Sequence, residues 1–292
     1  MSSRGSAEFK KIVWLASYPK SGNTWVRLFL DAYLLGDLDI NDMVCSVTDD
    51  RADRMQIGDG SQISSMPIDI QQLARPMGLL RLVSAFNENK FSDVPLFVKS
   101  HAAHMLANGI ELLPASLTRA VIYIVRDPRD VAPSFAKHMG IDLDTAIEYM
   151  VDRYRVLTSD PSRCADFLSS WDAHVLSYLN ADTHNVAVFQ YEEMRANPVE
   201  QFCGILRHAG IQPVRERVEK ALEMVNLNRL RELESEVGFR ESSPNAKNQF
   251  FGEGKIGNNN LSTTQRYRIE REFRRVMKRL GYIDGKRAAV WH

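Results

Sequence analysis

The sequence predicts an α/β protein of one domain, with a central parallel sheet flanked by helices. Two observations carry this reading. Four short runs rich in β-branched and other apolar residues, at 12–16, 96–99, 120–125 and 186–190, are separated by longer stretches in which apolar residues recur at helical spacing. The first run leads through a glycine-containing loop into a helical pattern, which is a P-loop-like strand–loop–helix of the kind that cradles phosphate. Strands that alternate with helices imply parallel pairing with both faces of the sheet covered. Ligands then collect at the carboxyl ends of the strands.

The elements follow in chain order. Residues 12–16, Ile-Val-Trp-Leu-Ala, are a buried strand, and 24–35 form a helix that ends near Gly36. Residues 37–67 are Asp- and Ser-rich and poorly periodic, so they read as a long surface loop. A helix is expected over 130–138, with Asp130 as its cap and Pro133 in its first turn. Residues 161–179 read as one amphipathic helix with Phe167, Leu168, Trp171, Val175 and Leu179 on one side. Residues 237–260 crowd Gly, Ser, Asn and Pro into a second loop, and 262–280 form a charged helix that stops at Gly281. The domain is expected over 8–284, with 1–7 and 285–292 as flexible termini.

Bulk properties narrow the function. The 292 residues contain 37 Lys plus Arg and 37 Asp plus Glu, so there is no general basic field to attract nucleic acid. A local basic pocket remains compatible with that balance. Cys45, Cys164 and Cys203 are dispersed, with no C-x-x-C, which points to reduced thiols in a cytoplasmic setting and away from zinc. No apolar run approaches the ~18 residues of a membrane span.

The chemistry lies at the strand ends. After the first strand comes Tyr18-Pro19-Lys20-Ser21-Gly22-Asn23-Thr24-Trp25. A triphosphate loop places its lysine after the glycine, whereas Lys20 precedes Gly22. Helix-start N–H groups attract an anion, Lys20, Ser21, Asn23 and Thr24 add donors, and Trp25 offers a face for a base. After the second comes Lys99-Ser100-His101, with a histidine where a proton acceptor is useful. The third ends in Arg126-Asp127-Pro128-Arg129-Asp130, followed by Ser134. A kinase would usually present a Mg²⁺-binding carboxylate there; Arg126 instead suits an anion directly. The fourth ends in Tyr191-Glu192-Glu193-Met194, and a late segment reads Phe250-Phe251-Gly252-Glu253-Gly254-Lys255-Ile256-Gly257. Its glycines let backbone approach a ligand.

Together these residues resemble the sulfotransferases that use 3′-phosphoadenosine-5′-phosphosulfate (PAPS). Residues 17–25 resemble the family's 5′-phosphosulfate loop, with Asn23 where Thr is usual. Residues 125–134 resemble its 3′-phosphate motif, in which Arg126 and Ser134 match. Lys99-Ser100-His101 is similar to the segment that carries the catalytic base, and Tyr191 to a tyrosine that approaches adenine. Trp171-Asp172-Ala173-His174-Val175 resembles a helix segment of the cytosolic enzymes. The late loop departs from the pattern: Gly252 and Glu253 replace an Arg-Lys pair, while Gly254 and Gly257 remain.

The resemblance implies sulfuryl transfer from PAPS to a hydroxyl, with PAP as the other product and no metal required. His101 is the implied base. Lys20 would steady the leaving phosphate and Lys99 the sulfuryl oxygens. The implied donor-binding set is Lys20, Ser21, Gly22, Asn23, Thr24, Trp25, Arg126, Ser134, Tyr191, Gly254 and Lys255. Lys255 is either a substitute for the missing arginine or a solvated loop lysine. The acceptor would be a small molecule, a glycan or a lipid. The rival readings are a Mg²⁺-dependent P-loop kinase and a non-catalytic nucleotide-binding protein of the same fold. The sequence leaves the oligomeric state open.

Overall fold

In the computed structural model, β1 (Ile12–Ser17) is the middle strand of five. The structure describes residues 12–43, 46–48, 66–88, 94–157, 165–242, 249–252, 256–257 and 260–284. Every residue of β1 is buried, which is why the run is apolar without alternation. One side of β1 pairs with β3 (Leu96–Ser100), and beyond it lies β2 (Ser46–Thr48). The other side pairs with β6 (Thr118–Val125), and beyond it lies β9 (Val186–Gln190). All four pairings are parallel.

The register sets the strand ends level. Ala16 pairs with Ser100 and with Tyr123, Ser17 with Ile124, and Val125 with Gln190. The chain therefore delivers Tyr18, His101, Arg126 and Tyr191 to one edge of the sheet.

Alternate residues of β1 serve two cores. Ile12, Trp14 and Ala16, with Tyr18 just past the strand, face the helices α3 (Pro128–Met139), α4 (Leu143–Val151), α5 (Trp171–Leu179), α10 (Thr263–Glu272) and α11 (Arg274–Arg279). Val13 and Leu15 face α1 (Asn23–Leu35), α7 (Pro198–His208) and α8 (Arg215–Met224). Between β9 and α7 runs the short α6 (Tyr191–Ala196), and α9 (Leu227–Val237) follows α8. The long α2 (Ile68–Glu88) precedes β3, and two small hairpins, β4 (Leu106–Ala107) with β5 (Ile110–Glu111) and β7 (Val156–Leu157) with β8 (Asp166–Phe167), lie outside the main sheet.

Several boundaries differ from the sequence reading. β2 lies inside the stretch expected to be loop; a three-residue edge strand of Ser-Val-Thr is too short to reveal a period. α3 begins at Pro128, not Asp130. Asp127 is its cap, accepting from the Arg129 N–H at 2.9 Å, so Pro128 takes the first-turn position and Pro133 lies farther in. The expected helix over 161–179 is only α5, because residues 166–167 pair as β8 and Ser169 has a positive φ of 59°. The C-terminal helix is two helices that meet at Phe273, whose ring packs on Trp171 at 5.2 Å. Ser262, expected as the first helical residue, is its cap and holds a complete capping box with Gln265.

Candidate active site

The loop after β1 is a strained turn. Lys20 has a φ of 66° and Gly22 one of 108°, values that ordinary side chains resist. Gly22 also packs close against the Tyr191 ring, since a Cβ there would lie 2.7 Å from Tyr191 Cδ2. Past Gly22 the chain turns straight into α1, whose first N–H groups lack intrahelical partners and favour an anion. Ser21 is buried, and its hydroxyl has no partner among the described residues. A buried hydroxyl without a protein partner is able to pair with a ligand oxygen.

The remaining loop side chains divide. The Asn23 amide turns inward, donating to the Leu15 carbonyl at 2.8 Å and to Ser17 Oγ at 3.3 Å. It braces the loop against β1 instead of pointing out of it. The Thr24 hydroxyl donates to Glu241 at 3.4 Å, and the same carboxylate pairs at 2.6 Å with the nearly buried Arg27. Trp25 is partly buried, edge-on to Phe202 at 4.9 Å and to Tyr191 at 6.1 Å.

Cations converge on this loop. The Lys20 ammonium sits 3.7 Å above the Phe250 ring. Its pKa is lowered to about 7, chiefly by burial; Glu241 opposes the shift, while Arg126, Lys137 and Lys99 push it further down. Arg126 lies over the Tyr191 ring at 4.5 Å and reaches the Lys20 carbonyl at 3.4 Å. Tyr191 therefore packs against both the loop at Gly22 and the guanidinium. Glu192 accepts from the Asp127 N–H and from the Tyr282 hydroxyl, both at 3.0 Å, which ties the ends of β6 and β9 together. Ser134 is half-buried on α3. Asp130, predicted as a cap, instead accepts from the Gly257 N–H at 3.0 Å. Gly254 and Lys255 lie outside the described residues.

His101 follows β3 directly. Its Nδ1 lies 2.7 Å from the Ser17 carbonyl oxygen. A carbonyl can only accept, so the proton is on Nδ1, and Nε2 keeps its lone pair. Burial, followed by the nearby Lys99, holds the His101 pKa well below the usual histidine value, so the ring is a neutral base near pH 7. The backbone of His101 is held as well. His174 Nε2 donates to the His101 carbonyl at 3.0 Å, while its Nδ1 accepts from the Tyr123 hydroxyl at 2.9 Å. The next carbonyl, of Ala102, accepts from the Tyr178 hydroxyl at 2.6 Å. His174 is fully buried, and burial lowers its pKa to about 4, which fits a neutral ring using both nitrogens.

A model of the sulfotransferase domain matches residues 10–281. The chain belongs to the sulfotransferase family. Sulfotransferase 1A1 of Canis lupus familiaris is 23% identical over 231 residues, covering 74% of this chain and 65% of its own length. Cytosolic sulfotransferase 5 of Arabidopsis thaliana is 24% identical over 255 residues, 83% of this chain and 72% of its own. The chain thus spans about two thirds of the length of these relatives. The crystal structure of retinol dehydratase in complex with androsterone and the inactive cofactor PAP superposes with a TM-score of 0.60 at 17% identity, over 92% of this chain and 81% of that one. At that identity the likeness concerns the fold, the central parallel sheet with its phosphate-type loop.

Within this sulfotransferase domain the structure gathers Lys20, Ser21, Gly22, Thr24, Arg126 and Tyr191 around one loop, with His101 and Lys99 beside it. Sequence reasoning passed over Ser17, Tyr123, Glu241 and Lys137. Only Ser17 carried a signal, as the residue that starts the loop motif; the others lie from 106 to 224 residues away from it in the chain.

Proposed function

We propose that this chain transfers a sulfuryl group from PAPS to a hydroxyl acceptor by direct in-line displacement, with His101 as the general base. The observation that carries this reading is the His101 ring, fixed on the Ser17 carbonyl through Nδ1 at the lip of a cation-lined phosphate loop. The residues fit the donor. Ser21 offers an unpartnered buried hydroxyl, the start of α1 offers N–H groups, and Lys20, Lys99 and Arg126 offer charge. When bound, PAPS supplies the sulfuryl group.

On this reading each step falls to the protein's own residues. His101 Nε2 takes the proton from the acceptor hydroxyl, and the Ser17 carbonyl stabilises the Nδ1–H as the ring becomes charged. Lys20 meets the negative charge that grows on the leaving phosphate, and Lys99 neutralises the sulfuryl oxygens. Arg126 and Ser134 take the 3′-phosphate, while Trp25 and Tyr191 flank the adenine. The acceptor is a small-molecule, glycan or lipid hydroxyl. A cytoplasmic setting fits the dispersed cysteines, of which Cys203 is buried and unbridged. Among the described residues no helix is long and apolar enough to cross a membrane.

The test is an acceptor-library screen with labelled PAPS, run beside a nucleotide panel and repeated in excess EDTA. Label transfer that survives EDTA is expected. ATP turnover that requires Mg²⁺ would support the kinase reading instead, and PAP binding with no turnover on any acceptor would support a non-catalytic protein.

A further inference from the structure

The late loop of this chain has lost two cations relative to the pattern it resembles, for Gly252 and Glu253 stand in place of Arg and Lys. One face of α3 lies alongside that loop. Asp130, Ser134 and Lys137 are spaced by four and three residues, so they share a helix face. Asp130 holds the Gly257 N–H at 3.0 Å, and the Lys137 ammonium donates to the Gln249 carbonyl at 3.2 Å. Both ends of the 249–257 loop therefore rest on this face, and Ser134 lies between the two anchors. A neutral carbonyl is a modest partner for an ammonium; a phosphate oxygen is a stronger one.

We propose that Lys137 supplies the donor's 3′-phosphate with the positive charge that Gly252 and Glu253 do not bring, acting beside Arg126 and Ser134. The inference rests on the PAPS reading of the site. Lys137 is also near enough to Lys20 to depress its pKa, as expected for a cation that reaches the same cleft. The space at Gly252 is open, since a Cβ there would meet nothing within 4 Å and the residue has no positive φ. The arginine of the pattern could therefore be introduced at this position without strain.

The experiment compares the binding of PAP and of 5′-AMP, which lacks the 3′-phosphate, by isothermal titration. Lys137→Ala should raise the Kd for PAP roughly tenfold or more, the loss of one charge-assisted hydrogen bond, and leave the Kd for 5′-AMP within about twofold. Adding Gly252→Arg to Lys137→Ala should recover PAP affinity, as should Lys137→Arg alone. An unchanged PAP affinity in Lys137→Ala, or an equal loss toward both nucleotides, would overturn the assignment while leaving the donor reading intact. Wild-type protein that binds no PAP would overturn the donor reading, and this inference with it.

Discussion

Gly22→Ala tests whether the loop and Tyr191 are fitted to each other. Two costs add. A side chain at a φ of 108° meets backbone strain of about 1–2 kcal/mol. The new methyl would also sit 2.7 Å from Tyr191 Cδ2 and 3.1 Å from Cε2, against the body of a buried ring and not a flexible tip. Making room in a packed site costs about 1–3 kcal/mol. The sum, about 2–5 kcal/mol, is a large share of a domain's usual stability. Melting by circular dichroism should fall by roughly 4–10 °C for a chain of this size. Because the displaced ring carries Arg126 on its face, PAP affinity should fall as well. Gly22→Ala combined with Tyr191→Ala removes the clash but keeps the strain, so the double variant should lose less than the two single losses added. A Gly22→Ala protein that melts within about 1 °C of wild type, or strictly additive losses, would refute the fitted-pair argument.

Three further outcomes follow from the electrostatics and the hydrogen bonding. Lys20 has a pKa near 7 in the empty protein, so at pH 8 it is mostly neutral; an incoming phosphate favours its charged form, and PAP binding at pH 8 should take up roughly one proton. Titration calorimetry in buffers of different ionisation enthalpy measures this, and uptake that persists in Lys20→Met would assign the proton elsewhere. His101→Ala should lower turnover by roughly 10²–10⁴-fold with PAP affinity nearly intact. Tyr123→Phe, which strips the donor from His174 Nδ1, should cost about 1–3 kcal/mol of stability and a smaller part of turnover. Turnover within about threefold of wild type in His101→Ala would mean another group is the base.

The sequence alone determined the four principal strands, the order of strand, loop and helix at residues 12–35, and the presence of Lys20, His101, Arg126 and Tyr191 at strand ends. These are local facts: apolar runs and turn residues report burial and chain reversal over a few positions, and parallel pairing then sends each strand end to the same edge. The family resemblance was equally legible, because its motifs are short and lie in order. What the sequence left open depends on partners distant in the chain. Asn23 looked like a donor to the ligand, yet its amide braces β1, because only the folded loop brings the Leu15 carbonyl within 2.8 Å. Asp130 looked like a helix cap, but Pro128 and Asp127 start the helix earlier and release Asp130 to hold Gly257, 127 residues on. The tautomer of His101 was likewise a tertiary decision. It is set by the Ser17 carbonyl on the neighbouring strand and steadied through His174 and Tyr123. Hydrogen bonds across such distances form only once the sheet register is fixed, and no local pattern of residue types encodes which carbonyl an imidazole will meet.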